Sequence, residues 1–342
     1  MGVNLSGLVK SRNIDISDLR GKPVAIDAYN TIHQFLSAIR QPDGRLLVDS
    51  NGRVTSHLSG LLHKITSLTE VGIEPSFVFD GKPHRLKLRT IEERRKRREE
   101  AIKEWERAIS EGDNKRAFSK AQQTSRITAE ISDSSERLLK LLGTPVVHAI
   151  HDGEAQSAYM CLKGDVWASA SQDFDSILFG APRLVRNIAI SGRRKILGKD
   201  KYRNVEVEMI NTEKCFVELG VSREQLVDVC ILMGTDFNPG ISGIGPKKGL
   251  KLIKYHKNIE NVLKSLNVEI SEYQQIRDIF LSGPYVDNYN LEFEDVDYDG
   301  AINFLVEYGF SKERVKLSLD RIERSRRTNR TMKQQKLLDA WL

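Results

Sequence analysis

The chain runs to 342 residues and 38.8 kDa, long enough for a large core, and a length prior of about 150 residues per domain allows two domains. Charged residues make up 29%, and a formal net charge of +6 (pI 9.0) persists despite many acidic residues, so the remainder is distinctly basic and suits a polyanionic partner. No run approaches about 18 apolar residues and no charged-then-apolar leader opens the chain, which argues against a membrane-spanning or secreted protein. Cys161, Cys215 and Cys230 lack metal-ligand spacing and read as buried thiols in a reducing compartment.

In chain order, short apolar runs stop at carboxylates. Val24-Ala25-Ile26 ends at Asp27 and Phe77-Val78-Phe79 at Asp80; Val146-Val147 leads to Asp152 and Glu154, and Val166-Trp167-Ala168 to Asp173 and Asp175. Such runs predict strands buried on both faces of a parallel sheet, where ligands sit beyond the carboxyl ends. Asp236 follows a helical pattern, Ile231-Leu232-Met233, and is expected to approach from the side. Any one of these carboxylates would pass for a helix cap or turn residue. Seven together are another matter: two bare carboxylates about 4 Å apart repel by roughly 4 kcal/mol at an effective dielectric of 20, so a converging group needs cations. Asp-x-Glu at 152–154 and Asp-x-Asp at 173–175 each place two carboxylates on one side of an extended segment, which suits a metal pair about 4 Å apart. Oxygen-only ligation favours Mg²⁺, with Mn²⁺ as the alternative, over zinc.

Between the second and third strands, residues 85–107 read RLKLRTIEERRKRREEAIKEWER. Such a run usually marks a solvated helix laced with i,i+4 pairs. It nevertheless leaves the sheet just after Asp80 and returns through a second helix predicted from about Asn114 to Leu142, so the two helices form a gate over the carboxylates. Farther on, Gly243-x-Gly245-Pro246 predicts a tight turn opening a helix, with backbone N–H groups pointing outward. Lys247 and Lys248 open that helix against the macrodipole preference for acids, which an anion at that end explains. From Arg321 the chain is basic and poor in apolar groups until KQQKLLDAWL, the composition of a flexible segment with one sticky tip; a last helix packing on the core is the competing expectation.

AIDAYNTIHQFL (25–36), VTSHLSGL (54–61), VFDGKPHRLK (78–87), DGEAQSAYM (152–160), ASASQDFDSILFGAPRLVRN (168–187) and LMGTDFNPGISGIGPKKGLKLI (232–253) give nearly the whole chain a resemblance to the archaeal flap endonucleases, the structure-specific 5′ nucleases of replication and repair. The resemblance implies an α/β fold: a central, mostly parallel sheet flanked by helices, with a helical arch and a helix-two-turn-helix DNA-binding region. It implies that Asp27, Asp80, Asp152, Glu154, Asp173, Asp175 and Asp236 are metal-site residues and that Gly2 lies near the site once Met1 is removed. Lys87 and Arg94 match the catalytic basic pair of the arch; Arg97 and Arg98 read as phosphate-steering residues. The turn at Gly243 and Gly245 with Lys247 and Lys248 matches the duplex-gripping motif, which usually holds K⁺. Gln335, Leu338, Trp341 and Leu342 fit the sliding-clamp-binding peptide.

Three positions depart from the family pattern: Asp152 stands where Glu is usual, His33 where a base-stacking Tyr is usual, and Lys64 where an Arg is usual, which predicts lower rate or altered pH dependence. His148 and His151, though close to the acidic site, are read as bystanders. The expected organisation is two nuclease halves at 1–84 and 143–238, an arch at 85–142, a helical DNA-binding part at 239–320 and a flexible basic tail at 321–342. Asp27, Asp80 and Glu154 are expected to hold chiefly one metal and Asp173 and Asp175 the other, with Asp152 and Asp236 acting directly or through water. The expected activity is two-metal hydrolysis of branched DNA, with 5′–3′ exonuclease activity, by a cytoplasmic monomer working on the chromosome. Two rivals are a non-catalytic clamp-recruiting adaptor, which would lack a carboxylate, and a single-strand RNA nuclease, which would need neither arch nor clamp tail.

Overall fold

A computed structural model describes residues 2–189, 192–195 and 202–339; within these, 193–195, 202–204, 332–333 and 336–339 are described by backbone alone. The strands are β1 (Arg12–Ile14), β2 (Pro23–Asp27), β3 (Glu74–Phe79), β4 (Val146–His148), β5 (Ala168–Ala170), β6 (Arg183–Arg186), β7 (Gly192–Lys195), β8 (Tyr202–Val205) and β9 (Val207–Asn211). The helices are α1 (Ala28–Ala38), α2 (Ser56–Val71), α3 (Leu88–Ser110), α4 (Asn114–Ala121), α5 (Ala129–Leu141), α6 (Gly153–Lys163), α7 (Asp175–Leu178), α8 (Thr212–Leu219), α9 (Arg223–Met233), α10 (Pro246–His256), α11 (Ile259–Leu266), α12 (Tyr273–Ser282), α13 (Tyr298–Glu307) and α14 (Lys312–Asp339).

Seven strands form one sheet in the order β1-β9-β6-β5-β2-β3-β4, parallel from β6 to β4 and antiparallel at the β9 and β1 edge. The expected fold class is therefore observed. Period-two alternation splits β2 between two cores: Ala25 packs with Val78 and the residues of α6, α7 and α9, while Val24 and Ile26 join Phe77, Phe79 and the residues of α1, α2 and α5 on the opposite face. The chain passes from β2 to β3 and β4 on one side and returns to β5 on the other, so the order reverses between β2 and β5. Ligand crevices open at the carboxyl ends of strands beside such a reversal.

Four expectations are corrected. β5 begins at Ala168, after Val166 and Trp167: the Trp167 N–H reaches the Pro23 carbonyl at 2.7 Å, but Pro23, the first residue of β2, has no N–H to return a bond, so the regular ladder starts at Val24 and Ala168. Asp152 caps α6 with Glu154 in its first turn, and Asp175 opens α7, so the paired carboxylates sit at helix starts rather than on extended chain. The second arch helix is not continuous: α4 stops at Ala121, a 3-10 turn covers Gln122–Thr124, and α5 starts afresh behind a Thr128 cap. α5 buries Ile131, Leu138 and Leu139 in the core beside α2, so it belongs to the body and the arch is α3 with α4. Finally, residues 321–339 continue α14 and are not a flexible tail. Val315, Leu319 and Ile322 extend an apolar stripe into the core, Arg321 forms a bidentate pair with Glu70 at 2.6 and 2.7 Å, and the Asn329 amide donates to the Thr69 carbonyl at 3.0 Å.

Candidate active site

All seven predicted carboxylates come to the carboxyl-end edge of the sheet or, for Asp236, to the loop after α9. Asp27 ends β2 and caps α1, accepting from the Asn30 N–H at 2.9 Å. Asp80 follows β3 and accepts from the Gly153 N–H at 2.6 Å, which ties β3 to the start of α6. Asp175 accepts from the Val3 N–H at 2.7 Å. That bond draws the amino terminus into the site and demands glycine before Val3: a Cβ on Gly2 would stand 2.4 Å from an Asp175 oxygen. The placement of Gly2 near the site is thus observed; Met1 lies outside the described residues.

The electrostatics match a crowded, desolvated acidic cleft. Burial, then the charge of Asp80, raises the Asp27 carboxyl well above the ordinary range. Burial and Asp152 push Asp80 to about 6, while burial, Asp173 and Asp236 push Asp175 to about 7. Glu154 is raised well above its usual value by burial and by Asp175, Asp173 and Asp27, and its Oε1 is buried without a hydrogen-bond partner. At each group burial and like charge outweigh the hydrogen bonds and cations that favour the ionised form. Among the described residues no three His, Cys, Asp or Glu side chains are already gathered tightly enough to hold an ion. The donor chemistry still fits hard divalent cations: every converging donor is an oxygen, Asp27 and Asp175 are buried and the other five half-buried against their own repulsion, and Glu154 Oε1 has nothing else to bind.

The arch delivers two cations here. Lys87 Nζ pairs with Asp152, and Arg94 Nη2 reaches Asp236 Oδ1 and Oδ2 at 2.6 and 2.7 Å. Burial alone would depress the Lys87 ammonium, but the charges of Asp152, Asp236 and Asp80 outweigh it and raise the group above its usual value. Arg97 and Arg98 lie one turn farther along α3, Arg97 exposed and Arg98 half-buried. His33 is exposed on α1. Lys64 is 7% exposed within α2. His148 bonds Glu136 at 3.1 Å and His151 bonds the Lys82 carbonyl at 2.6 Å; neither of these bonds goes to one of the seven carboxylates.

Gly243 turns the chain through φ 78°, Gly245 caps α10 and Pro246 takes its first turn, leaving Lys247 and Lys248 exposed at the helix start. Of the terminal peptide, Gln335 is exposed on α14, Leu338 is described by backbone alone, and Trp341 and Leu342 lie outside the described residues. Sequence reasoning missed Asn30, whose backbone N–H donates to the capping carboxylate of Asp27 and whose Nδ2 donates to Asp173 at 3.4 Å. An Asn three residues after a strand-ending Asp is the signal that could have found it.

Two family models match the chain: the XPG N-terminal domain over residues 1–101 and the XPG I-region over 143–236, with most of the arch between them. Flap endonuclease 1 of Archaeoglobus fulgidus is 47% identical over 97% of this chain and 99% of its own. That of Methanosarcina barkeri is 47% identical over the full length of both. Among solved structures, flap endonuclease-1 from Methanococcus jannaschii superposes with a TM-score of 0.75 at 37% identity, covering 95% of this chain and 98% of that one.

Proposed function

This chain belongs to the flap endonuclease branch of the XPG nucleases and is a structure-specific 5′ flap nuclease; on that premise we propose that its seven carboxylates hold two Mg²⁺ ions. Asp27, Asp80 and Glu154 serve chiefly one ion, Asp173 and Asp175 the other, and Asp152 and Asp236 bind directly or through water. Mn²⁺ satisfies the same oxygen donors. Once bound, the ions supply an activated water and stabilise both oxygens of an in-line displacement. The protein's own part is positional: the N–H groups of Asn30, Gly153 and Val3 fix the Asp27, Asp80 and Asp175 carboxylates, so little reorganisation remains at the moment of reaction. Lys87 and Arg94, already drawn to the site by Asp152 and Asp236, place positive charge beside the scissile phosphate as its negative charge grows.

The observation that carries this reading is the convergence of buried and half-buried, mutually repelling carboxylates under two arch cations. In the same scheme Arg97 and Arg98 steer the flap, His33 stacks on a base, and the α10 turn with Lys247 and Lys248 grips the duplex backbone, with K⁺ as its ion. The terminal Gln335, Leu338, Trp341 and Leu342 bind a sliding clamp. The enzyme also acts as a 5′–3′ exonuclease, and works as a cytoplasmic monomer; no described helix is long and apolar enough to cross a membrane. The test is incubation with labelled 5′-flap, nicked and single-stranded DNA with and without Mg²⁺. Strong metal-dependent cleavage at the flap junction is expected, with weaker 5′–3′ trimming of the nicked duplex, and metal-independent or structure-blind cleavage contradicts the scheme.

A further inference from the structure

The far end of the arch is anchored as firmly as the end at the carboxylates. α3 and α4 close on each other through Ala101, Ala108, Ala117 and Ala121, all buried, and Lys120 pairs with Glu104 across the hairpin. The hairpin then rests on the turn that follows α1. Trp105 Nε1 donates to the Asp43 carbonyl at 3.0 Å. Gly44, at φ 89°, lies so close beneath that a Cβ there would stand 2.5 Å from Ala121 Cβ and 3.2 Å from Trp105 Nε1. Arg40 fixes the turn from below: its Nη1 donates to the Gly44 carbonyl at 2.7 Å, Nη2 to the Ser125 hydroxyl at 2.9 Å and Nε to the Leu36 carbonyl at 2.7 Å.

These contacts join both ends of the machinery. α1 starts at Asp27 and ends against Arg40; α3 carries Arg94 about three turns before Trp105. Among the described residues α3 buries only Ala101 and Ala108, so its attachment to the body falls on its N-cap and first two turns, where Lys87, Thr90 and Arg94 bond Asp152 and Asp236, and on the Trp105 indole. A helix pinned at two points moves as a rod. From this geometry we infer that Trp105 is a positioning residue: docked on the Asp43–Gly44 turn, it holds α3 where Lys87 and Arg94 meet the site carboxylates and so sets the cleavage rate without touching the reacting phosphate. A displacement of about 1 Å at the reacting centre suffices to cost orders of magnitude in rate. The inference rests on the roles given above to Lys87 and Arg94.

Two variants of the full chain test it. Trp105→Phe keeps a ring and removes the N–H; Gly44→Ala drives a methyl against Ala121 at a backbone angle that alanine resists. Single-turnover cleavage at saturating enzyme is expected to slow about fivefold for Trp105→Phe, the fold-change of one lost hydrogen bond, and about tenfold or more for Gly44→Ala. For Trp105→Phe, flap-DNA affinity and melting temperature should stay near those of the parent, while trypsin cuts within α3 faster; Gly44→Ala, strained at φ 89°, is expected to melt lower. Cleavage by Trp105→Phe at the parental rate overturns the assignment whatever Gly44→Ala does. So does a rate loss that follows melting temperature and vanishes on cooling, because that is the mark of plain destabilisation. Arg94→Ala in the same assay separates the two readings. If it too is undiminished, the roles given to Lys87 and Arg94 are wrong and the positioning inference falls with them; if it is slow while Trp105→Phe is not, the positioning inference alone fails.

Discussion

Arg94 and Asp236 lie on different elements, one two turns into the arch helix and the other on the loop beyond α9, and a single guanidinium nitrogen spans both oxygens of the carboxylate at 2.6 and 2.7 Å. The contact shows how far the arch reaches down. Because Arg94 arrives at the acidic cleft, Arg94→Ala should lower single-turnover cleavage of a 5′-flap substrate a hundredfold or more, about 3 kcal/mol of transition-state stabilisation. Quench-flow measurement at saturating enzyme decides it. An unchanged rate with weaker binding would leave Arg94 a steering charge only.

Asp175→Asn should abolish cleavage while flap-DNA affinity stays within a few fold, since a less negative site does not weaken its grip on a polyanion. The same variant has a stability signature. Burial and neighbouring charge raise Asp175 from its ordinary value of 3.8 to about 7. An acid whose folded pKa is raised binds its proton more tightly when folded, so ionisation costs stability. That cost is absent below about pH 4, grows through the interval and is complete above pH 7. In chelator at pH 8 the asparagine variant should therefore be more stable than the parent by ~2 kcal/mol, with the difference vanishing toward pH 4. Urea titrations across that range would show it, and a variant less stable at pH 8 would contradict it.

His57 offers a test away from the chemistry. It is 1% exposed in α2, its Nε2 meets the Ser134 hydroxyl at 2.8 Å, and burial lowers its pKa from 6.5 to about 4. A depressed histidine contributes stability that is fully present above pH 6.5 and is lost as pH falls toward 4, a window worth about 3 kcal/mol. His57→Phe should flatten the fall in stability between pH 6.5 and 4, and Ser134 keeps its bond to the Glu130 carbonyl in the variant. A parental slope in the phenylalanine protein would place the titrating group elsewhere.

Deleting 335–342 should leave cleavage of free flap DNA and melting temperature nearly unchanged while abolishing association with the cognate sliding clamp. Trp341→Ala alone should remove about 2 kcal/mol of that association, roughly a thirtyfold loss in affinity. Calorimetric titration of the clamp against both proteins measures this. Equal affinities would make the terminal pattern a coincidence.

The catalytic edge was legible because its rule is local: apolar runs that stop at Asp27 and Asp80 end as strands wherever a parallel sheet forms, and their carboxylates share its carboxyl edge. Features set by packing between distant segments were not legible. Nothing near Ser125 announces that the chain leaves the arch there; the break is made by Ser37 and Arg40, each 85 residues upstream of its partner, bonding the Gln122 carbonyl and the Ser125 hydroxyl. Lys64 looks like a surface cation until α2 is seen seated in the core. Residues 321–339 read as solvated because their helix is fixed by polar clasps, Arg321 to Glu70 and Asn329 to Thr69, which leave no hydrophobic periodicity in the sequence. Trp105 escaped for the opposite reason, as one aromatic in a charged run whose partner is a carbonyl far upstream.

Those polar clasps have a spatial consequence. α2 ends at Val71, just before β3 begins, whereas Asp80 lies just after β3 ends, so Asn329 at Thr69 stands one strand length, about 20 Å, behind the cutting edge. α14 is thus a handle mounted on the back of the blade, 28 residues and about 42 Å long. Whatever holds the grip keeps clear of the edge, and the tool can be carried and used at the same time.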